Sequence, residues 1–228
     1  MSSGSHDDVA TTTLSESATA PLVFRPTLRM QSWTFIIGSS LFALGSAPGL
    51  GKWLGTTGAN TSFFIGAWFF TAAGFMQLLL SEPRIGPRGG VRAVWLAAAA
   101  QSFGTVLFNV STGAALHTRQ LSAERDFVWA PNAEGSLAFL ISGGLLCFVL
   151  LRNKHYFEPR SRDWWSTWIN AAGCVAFGIS AVGSVLTTSG NVINPSWADT
   201  GTFVGALCFL AASAVWVVGR QPTVGNDA

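Results

Sequence analysis

Three times along the chain an apolar stretch carries a glycine, a phenylalanine four residues later, and a small residue three further on. The copies are Gly38, Phe42 and Gly45; Gly104, Phe108 and Ser111; and Gly173, Phe177 and Ser180, offset by 66 and 69 residues. A period of this length marks one supersecondary unit used repeatedly. A second apolar stretch follows each copy, so the unit reads as a hairpin of two helices.

The six apolar stretches fall at about 31–50, 62–80, 92–116, 134–151, 166–187 and 200–219. At 1.5 Å per residue, roughly 20 residues cross a hydrocarbon core of ~30 Å. Composition agrees, with 11% charged residues and 49% hydrophobic ones, where soluble domains carry about 25% charged. Lipid offers exposed backbone groups no partner, so the spans must be helices or barrel strands. Runs such as residues 63–80, FFIGAWFFTAAGFMQLLL, do not alternate as barrel strands do. The expected fold is therefore an all-α integral membrane protein, with six transmembrane helices as three tandem parallel hairpin repeats. The repeats run 21–84, 85–152 and 153–220, between tails at 1–20 and 221–228. The first tail is rich in Ser, Thr, Ala and Asp without apolar periodicity and is expected to be disordered. It shows no basic segment leading into an apolar one, so no cleaved signal peptide is expected.

Charge asymmetry sets the expected orientation. One side collects Arg25, Arg29, Arg84, Arg88, Arg92, Arg152, Lys154, Arg160, Arg162 and Arg220, and the other has Lys52, Arg119 and Arg125. By the positive-inside rule both termini face the cytoplasm. Trp33, Trp95, Trp164, Trp165 and Trp168 fall at that boundary, and Trp53, Trp129 and Trp197 in the outer loops, as suits a ring with an apolar body and a polar N–H.

The second helices also align. Phe64–Phe70 and Phe203–Phe209 each read Phe-x-Gly-x-x-x-Phe, whereas Ser136–Ser142 in the middle copy keeps the size pattern without the glycine. On Trp33, Gly38, Phe42 and Gly45, on Trp168, Gly173, Phe177 and Ser180, and on the second-helix pattern, the chain resembles the YrhK-domain family, small two-helix membrane modules of bacteria. The resemblance covers the first and third hairpins best. It implies a fold and a bacterial membrane setting, and no biochemical activity. A six-span version with this Arg-, Ala- and Gly-rich composition is also similar to the accessory membrane subunits of mycobacterial Mce lipid-import complexes. That similarity implies a supporting role beside a lipid transporter.

Gly38, Phe42, Gly45, Gly104, Phe108, Gly173, Phe177, Gly66 and Gly205 are expected at helix contacts, because small residues let backbones approach. Gly45 with Gly49, Gly66 with Gly74, Gly143 with Gly144, and Gly178 are further candidates. Such surfaces serve packing within the chain or docking onto another protein.

Chemistry is sparse. All eleven acidic residues read as lying in tails, loops or span ends. Among them Glu134 and Asp199 stand at the starts of second helices, where an acid, or Asn60 and Thr61 in the first hairpin, suits a helix cap. That pattern argues against a proton pump, a voltage sensor or a carrier using buried carboxylates. Gln101, Thr105 and Asn109 recur every four residues on one face of the third helix, either as interhelical hydrogen bonders or as the lining of a substrate path. Arg84, Arg88, Arg160 and Arg162 are candidates for anionic lipid headgroups, although topology alone accounts for them. Cys147, Cys174 and Cys208 read as packing residues, and no motif for a metal, phosphate or nucleophile is present. A catalytic or metal site would need His117 to meet two carboxylates across loops. No cofactor and no nucleic acid is expected.

The functional expectation is a non-enzymatic inner-membrane protein, an accessory or stabilising subunit of a bacterial envelope lipid-transport complex. Its expected partners are membrane lipids and a larger membrane protein complex. The alternative is a small channel, or a lipid or small-molecule carrier, using the Gln101–Thr105–Asn109 face.

Overall fold

The computed structural model describes residues 24–81, 91–118 and 120–218, with the side chains of residues 51 and 52 excepted. Six long helices follow one another: α1 (Leu28–Ser46), α2 (Gly51–Leu80), α3 (Ala93–Ala115), α4 (Leu121–Arg152), α5 (Arg162–Gly183) and α6 (Pro195–Val218). Five of them, α2 to α6, are long and apolar enough to cross a membrane. The first, α1, has 19 residues, but Arg29, Gln31, Ser32 and Thr34 dilute its first turns. The expected tails and the 81–91 loop, with Arg84 and Arg88, fall outside the described residues for the most part.

Local signals explain the starts of α1, α5 and α6. The Thr27 hydroxyl accepts the Met30 N–H at 3.2 Å and starts α1. The Ser161 hydroxyl accepts the Trp164 N–H at 3.3 Å and starts α5. Asn194 accepts the Trp197 N–H at 3.1 Å ahead of Pro195, so Asn194 rather than Asp199 caps α6. Between α1 and α2 the chain turns at Gly49 (φ 84°), so Gly49 is a turn residue and makes no packing pair with Gly45. A break at Gly55 (φ 63°) divides the first turn of α2 from the rest. Helix α4 contains a π-helical segment, Arg125–Trp129.

Each helix packs on the next and α6 returns to α1, closing a ring of six. Ring formation rests on one contact used in three hairpins. A Cβ placed on Gly38 would stand 3.0 Å from the Gly66 carbonyl oxygen and 3.1 Å from the Phe70 ring, while one on Gly66 would meet Phe42 at 2.8 Å. Between α3 and α4, a Cβ on Gly104 would meet the Phe139 ring at 2.8 Å and the Gly135 carbonyl at 2.9 Å, and one on Gly135 would meet Phe108 at 3.2 Å. Between α5 and α6, a Cβ on Gly173 would meet Phe209 at 2.6 Å, and one on Gly205 would meet Phe177 at 2.7 Å. Each glycine therefore seats the phenylalanine of its partner helix. Close backbone approach of this kind drives helix association in lipid, where the hydrophobic effect between helices is absent.

This geometry corrects the reading of the middle hairpin. Its second helix has not lost the glycine: Gly135 and Phe139 stand where Gly66 and Phe70, and Gly205 and Phe209, stand in the others. The sequence alignment on Ser136–Ser142 was out of register by three residues. Glu134 moves with that register. It lies well inside α4, beside Gly135, and caps nothing. Gly135 faces Gly104 at the middle of α3, about 16 Å from either end of that helix at 1.5 Å per residue. The Glu134 carboxyl group therefore sits level with the middle of α3, on the outward side of the ring.

The surface is inverted relative to a soluble protein. Phe103, Trp68, Leu137 and Val182 are more than half exposed, whereas Ser39, Ser142, Thr105 and Gln101 are buried. Large apolar side chains outside and small or polar ones between helices are what lipid as a solvent requires.

Gly104→Val forces a branched side chain into the Phe139 ring and should lower thermal stability in detergent by roughly 1–3 kcal/mol. Gly144 has open space where its Cβ would go, so Gly144→Ala should leave the melting temperature unchanged or slightly raised.

Candidate functional site

The six phenylalanines seated by these glycines meet on the axis of the ring. Ring centroids within the three hairpins lie 4.8 Å (Phe42–Phe70), 5.0 Å (Phe108–Phe139) and 5.2 Å (Phe177–Phe209) apart. Across hairpins, Phe42, Phe108 and Phe177 form a triangle with sides of 6.2, 5.7 and 6.2 Å. Phe70 and Phe139 each touch Phe209, at 6.1 and 5.4 Å. All six are at most 3% exposed. Tilted and edge-on pairs at these separations are the favoured arrangement for aromatic rings, worth about 0.5–1.5 kcal/mol each beyond the area they bury. The axis is thus filled by a plug of six rings.

A cavity opens on each side of the plug. One, of about 230 Å³, lies at the end of the ring where α1 meets α2, with Phe42, Phe108 and Phe177 as its floor. Polar groups set in its walls tie neighbouring helices together. The Asn60 amide donates to the Ala115 carbonyl at 3.1 Å, joining α2 to α3. The Ser111 hydroxyl donates to the Val128 carbonyl at 2.7 Å, joining α3 to the π-helical segment of α4. The Trp129 indole donates to the Ala181 carbonyl at 3.1 Å. The Ser180 hydroxyl reaches the Ala198 carbonyl and the Thr202 hydroxyl, both at 2.7 Å. Asp199 and Glu124 also line this cavity. The other cavity, about 170 Å³, lies at the arginine-bearing end and is lined by Gln31, Gln77, Ser166, Asn170 and Trp216 among others. There the Trp216 indole donates to the Ser166 hydroxyl at 3.1 Å, joining α6 to α5.

The predicted polar face of α3 lines neither cavity. Thr105 and Asn109 lie toward α2. The Asn109 amide donates to the Ala67 carbonyl at 3.1 Å and also to the Thr71 hydroxyl. The Thr71 hydroxyl donates to the Thr105 carbonyl at 3.1 Å, and the Thr105 hydroxyl to the Ser102 carbonyl at 2.6 Å. Gln101 is 2% exposed. This arrangement ties α2 to α3. Of the candidate headgroup residues, Arg160 is exposed in the loop before α5 and Arg162 is half-buried in its first turn; Arg84 and Arg88 lie outside the described residues. His117 follows α3 in an exposed loop, and among the described residues no three of His, Cys, Asp and Glu gather. Cys174 is buried against Gly143 between α4 and α5.

Three features escaped the sequence reading: the second-helix phenylalanines as plug residues, the cavity on either side, and Glu134 at depth. The first had a signal, since all six helices carry Gly-x-x-x-Phe. The cavities had none, because Ser111, Asn132 and Thr202 are single polar residues far apart in sequence.

These features define a class, a helical membrane protein with a closed ring and a plugged axis. Comparison with known protein families, with curated proteins and with solved structures finds no match to the chain.

Asn109→Leu removes the hydrogen bonds that Asn109 makes to α2 and should lower stability by about 0.6–1.7 kcal/mol, the range for interhelical bonds in membranes. Chemical unfolding in mixed micelles reads this directly.

Proposed function

We propose that this chain is a non-enzymatic membrane protein with six spans, in three hairpins, that serves as an accessory or stabilising subunit. In this reading α1 is the sixth span, held in place by its neighbours. The basic residues at one end favour both termini in the cytoplasm, the motif resemblance suggests a bacterial membrane, and the span number and composition suggest a lipid-transport complex. The observation that carries the reading is the aromatic plug. Six touching rings occupy the line along which a solute would cross, and Asn60, Asn109, Ser111, Trp129 and Ser180 bond neighbouring helices together. A ring stabilised in this way acts through its outward surface, as a body for a partner to pack on. The resting protein, reconstituted in vesicles, should release no entrapped small dye, and purification from native membranes in mild detergent should bring a stoichiometric membrane partner. Recovery of the chain alone, as monomer or homo-oligomer, would overturn the proposal.

A second reading has its own observation. Two cavities facing opposite ends, each with polar groups among its lining and parted by a plug, are the layout of a gated path for a small solute. On that reading the plug moves. The double variant Phe108→Ala and Phe177→Ala should then join the cavities and admit small solutes into vesicles. Its stability should also fall, since Phe→Ala in a packed core costs about 3–5 kcal/mol per site. Vesicles that stay tight with the folded variant would exclude the axial path.

A further inference from the structure

Glu134 is exposed on the outward side of α4, level with the middle of α3. Around it the same face presents Phe127, Leu137, Ile141 and Phe148, each at least half exposed. Among the described residues Glu134 has neither an ion-pair nor a hydrogen-bond partner. The nearest cation along its own helix, Arg125, is nine residues away, about 13 Å at 1.5 Å per residue, and it pairs with Asp126 at 3.3 Å. A glutamate stem is too short to carry its head to the interface as lysine and arginine do. Ionisable residues at such depth normally face a partner, and they mark functional sites.

We infer that the outward face of α4 around Glu134 docks a transmembrane helix of another protein carrying a lysine or arginine at mid-depth. Three observations select that occupant. The carboxylate asks for a cation, and the face around it is apolar, as a membrane helix requires. Further along the same face Gly144 is exposed with open space around it, so a helix backbone can come close. A second copy of this chain does not fit. Two copies packed through this face would bring Glu134 against Glu134, and the chain's described basic residues lie toward the helix ends or in loops.

The inference rests on the accessory-subunit reading and names the chemistry of its partner. The test uses the full chain, carrying a donor fluorophore, in phosphatidylcholine vesicles. The probes are acceptor-labelled polyleucine membrane peptides with a central lysine, a central leucine or a central glutamate. The lysine peptide should associate at least about tenfold more tightly than the leucine peptide. Glu134→Gln and Glu134→Leu should abolish that preference without lowering the melting temperature, since each removes a charge from an apolar face. Equal association of the lysine and leucine peptides with the unaltered chain would overturn the inference, as would a preference that survives Glu134→Leu. Self-association lost in Glu134→Leu would also overturn it, in favour of a second copy. A native partner retained by Glu134→Leu would overturn this inference and leave the accessory reading intact. A lysine-peptide preference with no native partner would do the reverse.

Discussion

The structure depends on one contact, a glycine that seats the phenylalanine of the helix beside it. In water a phenylalanine is buried because water rejects it. In lipid that drive is gone, since hydrocarbon tails solvate the ring as well as a protein interior does. What remains is packing density. A glycine backbone lets a ring approach to van der Waals contact, and the ring points past it toward the axis. Each hairpin uses the contact in both directions, so Gly38 and Gly66 hold Phe70 and Phe42 at once. Three such pairs bring six rings to one place, and the ring closes because α6 returns to α1.

The same contact organises the chemistry. With the axis filled by aromatic rings, polar groups are confined to the two ends and to the seams between helices. Asn109 with Thr71, Ser111 with Val128, Trp129 with Ala181 and Ser180 with Thr202 each join neighbouring helices. These bonds supply direction where packing supplies proximity. Glu134 departs from this economy. It joins no seam and lines no described cavity, and it faces away from the rest of the protein. A group that contributes nothing to the fold and is costly where it stands points outside the molecule for its partner.

Legibility in the sequence varied with the range of the interaction. Helical membrane character was plain from hydropathy, because span length and composition are local properties. The glycine-phenylalanine step was visible in α1, α3 and α5 and in two of their partners. In α4 it is hidden, because the hydrophobic edge of the sequence falls well after the true helix start. The helix in fact begins at Leu121, through the polar run of Glu124, Arg125 and Asp126 and a π-helical segment. That single error of register hid Gly135 and Phe139 and placed Glu134 at a helix end. Asn60 and Asp199 were misjudged as caps for the same reason, each lying inside a helix that starts upstream.

The sequence by itself determined the class of fold, the candidate spans and the side on which basic residues collect, since each follows from the transfer of short segments between water and lipid. It also held all six seats and rings of the plug. Only the tertiary structure decided which ring enters which seat, that the axis is closed, and that the polar face of α3 looks toward α2. It alone put a carboxylate at mid-depth on the outside. These are relations between helices whose contacting residues lie 24 or more apart in the chain. Periodicity along one helix gives the faces that helix presents, and the neighbouring backbone decides which face meets protein and which meets lipid.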